Sequence, residues 1–144
     1  MPFGNTYGND ILLFTLNSVA FNAAYTATIY HQLHTADPGI AGDQTTNEVN
    51  TTQYPNYARV SKTRSGSTDY TVTTKSATNA TQVLFPSSGA GTGATLTHMS
   101  IGVASTGAGR ILFSGGTVTP NIVLGTGGGV QPSFAPGAIT ITLT

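Results

Sequence analysis

The residues best able to do chemistry are three histidines, His31, His34 and His98, and five carboxylates. His31 and His34 with Asp37 form the one conceivable metal set. The spacing is poor for it, because two residues separate the histidines and the pair straddles an expected strand end. There is no cysteine and no His-Glu-x-x-His motif to complete a zinc site. Ordinary packing and loop hydrogen bonds are the expected roles, for His98 as well. Asp37 and Asp43 share a long loop, where two carboxylates could act as general acid and base. Asp37 stands directly before Pro38, however, which suits an Asx-type turn.

A serine nucleophile needs a positioned base and an oxyanion hole, and the sequence has no G-x-S-x-G elbow. The stretches Gly107–Arg110 and Gly125–Gly129 lack the Gly-Lys-Ser/Thr ending of a phosphate loop and precede no helical pattern, so they read as hairpin turns. No residue is therefore assigned as catalytic, cofactor-binding or metal-binding, and no enzyme activity is expected. Arg59 and Arg110 carry more information. An arginine on a strand can fork onto a carboxylate across an interface, or be solvated. Tyr54, Tyr57 and Tyr70 can be core edges or interface anchors, since tyrosine offers large contact area at low entropic cost.

The elements that must position these side chains come from a chain of 144 residues, enough for one modest core. Only 7% of residues are charged, where an ordinary soluble domain has roughly 25%. The formal net charge is zero, and Thr, Ser, Asn and Gly supply the polar surface instead. Such a surface repels its neighbours weakly, which favours a protein living in an assembly. Without a basic cluster or stripe, no nucleic-acid partner is expected. No apolar run reaches the ~18 residues of a membrane span, so no membrane partner is expected. The start MPFGNTYGNDILLF has no positive residue before its apolar stretch and no cleavage pattern, so it does not read as a signal peptide.

Frequent Thr, Val, Ile, Tyr and Phe favour strands. A short helix is expected within Asp10–Ala24, with Asn9 or Thr15 as cap, or else an extended arm. Strands are expected over Tyr25–Leu33, Tyr57–Thr63, Asp69–Thr74, Gln82–Phe85, Ala94–Val103, Arg110–Ser114, Thr117–Leu124, Val130–Phe134 and Ala138–Leu143. His34–Val49 reads as a long loop with a turn at Asp37-Pro38-Gly39. Tyr57–Thr63 and Asp69–Thr74 suggest a hairpin through Arg64–Ser67. Thr95, Thr97, Met99, Ile101 and Val103 should share one strand face, and Gly102 suggests a bulge or close approach. The expected fold is a single-domain antiparallel β-sandwich or jelly-roll, with residues 1–24 as an N-terminal arm or helix and 25–144 as the β domain.

Several ordered motifs across residues 25–142 resemble those of small phage structural proteins generally called tail fibre proteins. Leu33-His34-Thr35-Ala36-Asp37-Pro38-Gly39 matches their "LHTADPG". Thr46-Asn47-Glu48-Val49 matches "T-E-V", and Tyr57-Ala58-Arg59-Val60 matches "YAR". Phe85-Pro86 matches "FP", and Thr97–Gly102 resembles "THFGIG". Gly107–Gly115 resembles "GAGxLLYSG", and Pro132–Thr140 resembles "PSFAAGALT". The departures are Tyr54-Pro55-Asn56, inserted before Tyr57, and the run Gly125–Gly129.

The resemblance implies a virion protein, assembled in the host cytoplasm, with no catalytic residues and no cofactor. Small virion proteins of this kind also serve as capsid cement or decoration proteins, often homotrimers that bind the major capsid protein at shell junctions. That is the first functional expectation, because the sequence shows no coiled-coil heptads and no β-helix repeat for a long shaft. The alternative is a tail fibre or tail-associated protein that contacts the host receptor, which would call for a surface groove or an aromatic patch.

Overall fold

The structure is a computed structural model that describes residues 1–20, 27–64 and 68–143. It is mostly antiparallel sheet with one N-terminal helix, as the composition led us to expect. Helix α1 (Asn5–Asn17) is followed by nine strands: β1 (Thr28–His34), β2 (Val60–Thr63), β3 (Tyr70–Thr73), β4 (Ser76–Asn79), β5 (Val83–Leu84), β6 (Ala94–Gly102), β7 (Ile111–Leu124), β8 (Ser133–Phe134) and β9 (Thr140–Thr142). The parts of the expected helix, first strand and hairpin turn that fall on 21–26 and 65–67 lie outside the described residues.

A four-stranded sheet runs in the order β2-β1-β6-β7, and two smaller ladders, β3-β4-β9 and β5-β8, lie apart from it. Strand β1 pairs with β6 so that His31 faces Ile101, Gln32 faces Ser100 and Leu33 faces Met99. Side chains alternate along a strand, so Ile29, His31 and Leu33 share one face with Met99 and Ile101. That face builds the core. Leu33, Leu96 and Met99 pack with Val83, Phe85 and Ile139, and Ile29 and Ile101 pack with Leu112 and Ile141. The other face of β1 is buried too, under the long loop.

Three expectations about strands need correction. Strand β2 does not form a hairpin with β3; it pairs with β1, and β3 pairs with β4. The β3–β4 turn passes through Thr74 at a φ of 55°, a left-handed conformation at a Thr-Lys pair that carries none of the usual Gly, Asn or Asp signal. The two strands expected over 110–124 are one long strand, bent where Gly115 takes a φ of 70°. In β6 the register shifts between Leu96 and His98. That irregularity puts Leu96 in the core beside Met99 and leaves Thr95 exposed, against the expectation of a shared face for Thr95 and Thr97.

Helix α1 starts earlier than expected, and its N-cap is Gly4, without a side-chain cap; Asn9 and Thr15 are interior. Tertiary bonds take the cap's place. The N–H of Gly4 donates to the Leu112 carbonyl at 3.0 Å and that of Asn5 to the Ile40 carbonyl at 2.8 Å. A Cβ at Gly4 would lie 2.2 Å from the Ile111 oxygen, so only glycine permits this approach. At the far end Ser18 is left-handed and Val19 N–H donates to Leu13 O, which closes the helix.

Candidate functional site

The long loop from Thr35 to Arg59 lies on the outer face of β1 and β6, and buried polar groups hold it there. His34, Gln32, Ser100 and Gln44 are all fully buried. The His34 Nδ1 donates to the Thr46 carbonyl at 2.9 Å, because a carbonyl can only accept. In the neutral ring Nε2 is then an acceptor, and the Ser100 hydroxyl donates to it at 2.7 Å. Ser100 Oγ accepts in turn from Gln32 Nε2 at 2.6 Å, and Gln32 Oε1 accepts from Gln44 Nε2 at 2.7 Å. The Gln44 amide finishes the chain: Oε1 accepts from the N–H of Val103 and of Ala104, and Nε2 also donates to the Ala104 carbonyl. Among the described residues every buried side-chain polar atom has a partner.

Gln44 fits only because two glycines leave room. A Cβ at Gly102 would lie 2.2 Å from Gln44 Cδ, and one at Gly109 would lie 2.0 Å from Gln44 Oε1. The expectation of a bulge or close approach at Gly102 holds on both counts, since the register also shifts there.

A second clamp sits where the loop returns to the sheet. Arg59 forks onto Glu48, with Nε to Oε1 and NH2 to Oε2 both at 2.7 Å, and its side chain is only 3% exposed. Its NH1 also donates to the Ala104 carbonyl and its NH2 to the Gly107 carbonyl. Tyr57 joins the pair: its hydroxyl donates to Glu48 and accepts from the Leu33 N–H. Burial, and the Glu48 charge next to it, raise the Tyr57 phenol well above its ordinary range. Arg59 thus pairs inside the chain, rather than being solvated or reaching across an interface. Arg110 also pairs internally, at 3.1 Å from Asp10 of α1.

The remaining sequence candidates separate. His31 and His34 face opposite sides of β1. His31 Nδ1 donates to the Val60 carbonyl, and its Nε2 accepts from the Tyr70 hydroxyl at 2.6 Å. Asp37 accepts from the Gly39 N–H, the Asx turn expected before Pro38. Asp43 accepts from the N–H and hydroxyl of Thr45. Those bonds hold its carboxyl below the usual range. The two carboxylates each serve their own turn. Among the described residues no three His, Cys, Asp or Glu side chains gather as a metal would require. Tyr54 is a core residue whose hydroxyl donates to the Pro86 carbonyl. The inserted Pro55 and Asn56 pack on the 86–91 loop, which also meets the Gly125–Gly129 run through Gly91 N–H to Thr126 O.

Outside this clamp the loop leaves a groove of about 340 Å³ between Thr45–Thr51 and Ser105–Gly107, with Glu48, Tyr57 and Arg59 in its lining. Sequence reading missed Gln32, Gln44 and Ser100. Their sole local signal was the pair of glycines that the Gln44 amide needs.

Both buried histidines tie stability to pH. Burial lowers His31 and His34 from 6.5 to about 4. Between those values the unfolded chain binds protons that the folded chain refuses. The stabilisation is therefore complete above pH 6.5 and is lost as pH falls towards 4, by roughly 3 kcal/mol for each histidine. Unfolding midpoints measured from pH 7.5 to 4 should fall steeply over this window. Replacing His34 by glutamine should flatten the fall, whereas an unchanged slope would show that His34 titrates normally.

A family model described as "Podophage GP4 fiber I protein gp80" matches residues 2–142. No curated protein matches the chain.

Proposed function

Since the chain belongs to this podophage fibre family, and is thus a fibre-type structural protein of a phage particle, we propose that it works without catalysis, as a tail-associated subunit whose clamped loop presents a host-contact surface. The observation that carries this reading is the groove beside Glu48 and Arg59. A fibre protein in contact with a host needs a surface that keeps its shape. Here two buried networks rigidify a segment of 25 residues that would otherwise be free to rearrange. The groove's rim of Thr45, Thr51, Ser105 and Thr106 offers hydroxyls, Val49, Tyr57 and Ala58 give it an apolar lining, and its two charges pair with each other, chemistry that suits an uncharged ligand with both polar and apolar faces.

The capsid-cement expectation, with a homotrimer on the major capsid protein, draws its support from the neutral, charge-poor surface, which fits close packing in an assembly. The fibre family favours the tail-associated reading over it. Density mapping of intact particles separates the two. Copies on the tail or its fibres are the expected result. Copies over junctions of the icosahedral shell would overturn the host-contact proposal in favour of cement.

A further inference from the structure

The chain carries an apolar helix face and an apolar cleft, and neither is filled by the other. Leu12 and Leu16 lie one turn apart on α1, and Val19 follows just past its end; all three are exposed, Leu16 at 73%. Among the described residues, side chains near its start hold the helix to the body. Phe3 and Tyr7 pack on Phe113, and Asp10 pairs with Arg110, but no residue of α1 is fully buried. Among residues 11–20 there is no charged side chain, and the last turn has no basic residue to meet the negative end of the helix dipole.

The cleft lies where the four-stranded sheet and the β3-β4-β9 sheet part at one end. It has a volume of about 290 Å³, a floor of Ile29, Ile101 and Ile141, and an apolar lip formed by Val72 and Leu143. Val72 is 71% exposed. Arg64 and Lys75 stand on its rim as the charged lining residues. The two surfaces are complementary in both respects. Leucine side chains one helical turn apart match an apolar trough, and a helix C-terminus without its own cation matches a cationic rim.

We propose that α1 of one copy seats Leu12 and Leu16 in this cleft of a second copy. Each chain then gives one helix and receives another, a heterologous contact that closes into a ring or continues as a line of subunits.

The sequence has no cysteine, so engineered pairs report cleanly. Leu16→Cys and Val72→Cys are made as separate full-length chains, one bearing a mass tag, then mixed in equal amounts and oxidised. The expected product is a disulfide-linked pair of the two different chains, which can only be intermolecular and requires Cα atoms roughly 4.4–6.8 Å apart. In sedimentation runs the Leu16→Asp chain should associate at least tenfold more weakly than the parent, with an unchanged unfolding midpoint at dilutions where both are monomeric, because Leu16 is exposed in the single chain. Three results would overturn the proposal: disulfides only between two Leu16→Cys chains, which places helix on helix; closure only within a doubly substituted chain, which places the helix in its own cleft; or a parent chain that stays monomeric at its highest soluble concentration.

Discussion

Replacing Arg59 by alanine will cost about 3–5 kcal/mol of folding stability and lower the unfolding midpoint by about 10–15 °C. The cause is less the loss of one ion pair than what is left behind. Glu48, itself part of the loop, would remain with a side chain only 12% exposed and its charge no longer answered. The carbonyls of Ala104 and Gly107 would lose their guanidinium donors as well. The partner substitution Glu48→Gln should cost a similar amount, since it leaves the Arg59 charge, only 3% exposed, without its carboxylate and turns one acceptor of the fork into an N–H donor. Thermal unfolding of both single variants and the double variant gives the coupling directly. A midpoint for Arg59→Ala within about 3 °C of the parent would mean that the pair is solvated, not buried.

Gly102→Ala is the second large effect expected, and its cause is steric. The new methyl would lie 2.2 Å from Gln44 Cδ and 2.5 Å from Nε2, so the amide must leave. Its departure strands the half-buried N–H of Ala104 and the buried Gln32 Oε1, each worth about 1–3 kcal/mol when unpaired, and leaves the Val103 N–H only its bond to the Arg110 carbonyl. A loss of about 4 kcal/mol is expected, with new protease cleavage between residues 35 and 59. Combining Gly102→Ala with Gln44→Ala should be no worse than Gln44→Ala alone, because the clash and the lost bonds have one origin. If the two losses simply added, Gln44 would not be the group that the glycine accommodates.

The difference between what could be read in advance and what could not has a physical basis. The Asx turn at Asp37 and the close approach at Gly102 are local: a single residue type before a proline, or inside a strand pattern, carries the information. The β3–β4 hairpin was hidden because Thr74 and Lys75 make the turn without a turn residue's signature. The network was hidden for another reason. Gln44 sits in a polar stretch, Gly-Asp-Gln-Thr-Thr-Asn, that reads as a solvated loop, and its partners are 12 to 60 residues away. Burial of β1 on both faces follows from that docking. Taken alone, Tyr30, Gln32 and His34 form a plausible solvent-facing stripe. The resemblance marked His34, Glu48, Tyr57 and Arg59 as motif positions, and the structure explains their types as the parts of two clamps.

The place of β1 in the sheet also sets a timetable for the newly made chain. Its residues pair with β6, so that Tyr30 must wait for Gly102 and His34 for His98. A ribosome adding ~5–20 residues per second leaves β1 without that neighbour for roughly 4–14 s. Throughout that interval His31, Gln32 and His34 have no finished interior to enter, and the loop that will cover them has no sheet to lie on. Contacts so distant in sequence slow folding, into the range of milliseconds to seconds even for a complete chain. The clamped loop therefore cannot dock before β6 and the turn that carries Ala104 and Gly107 have been made.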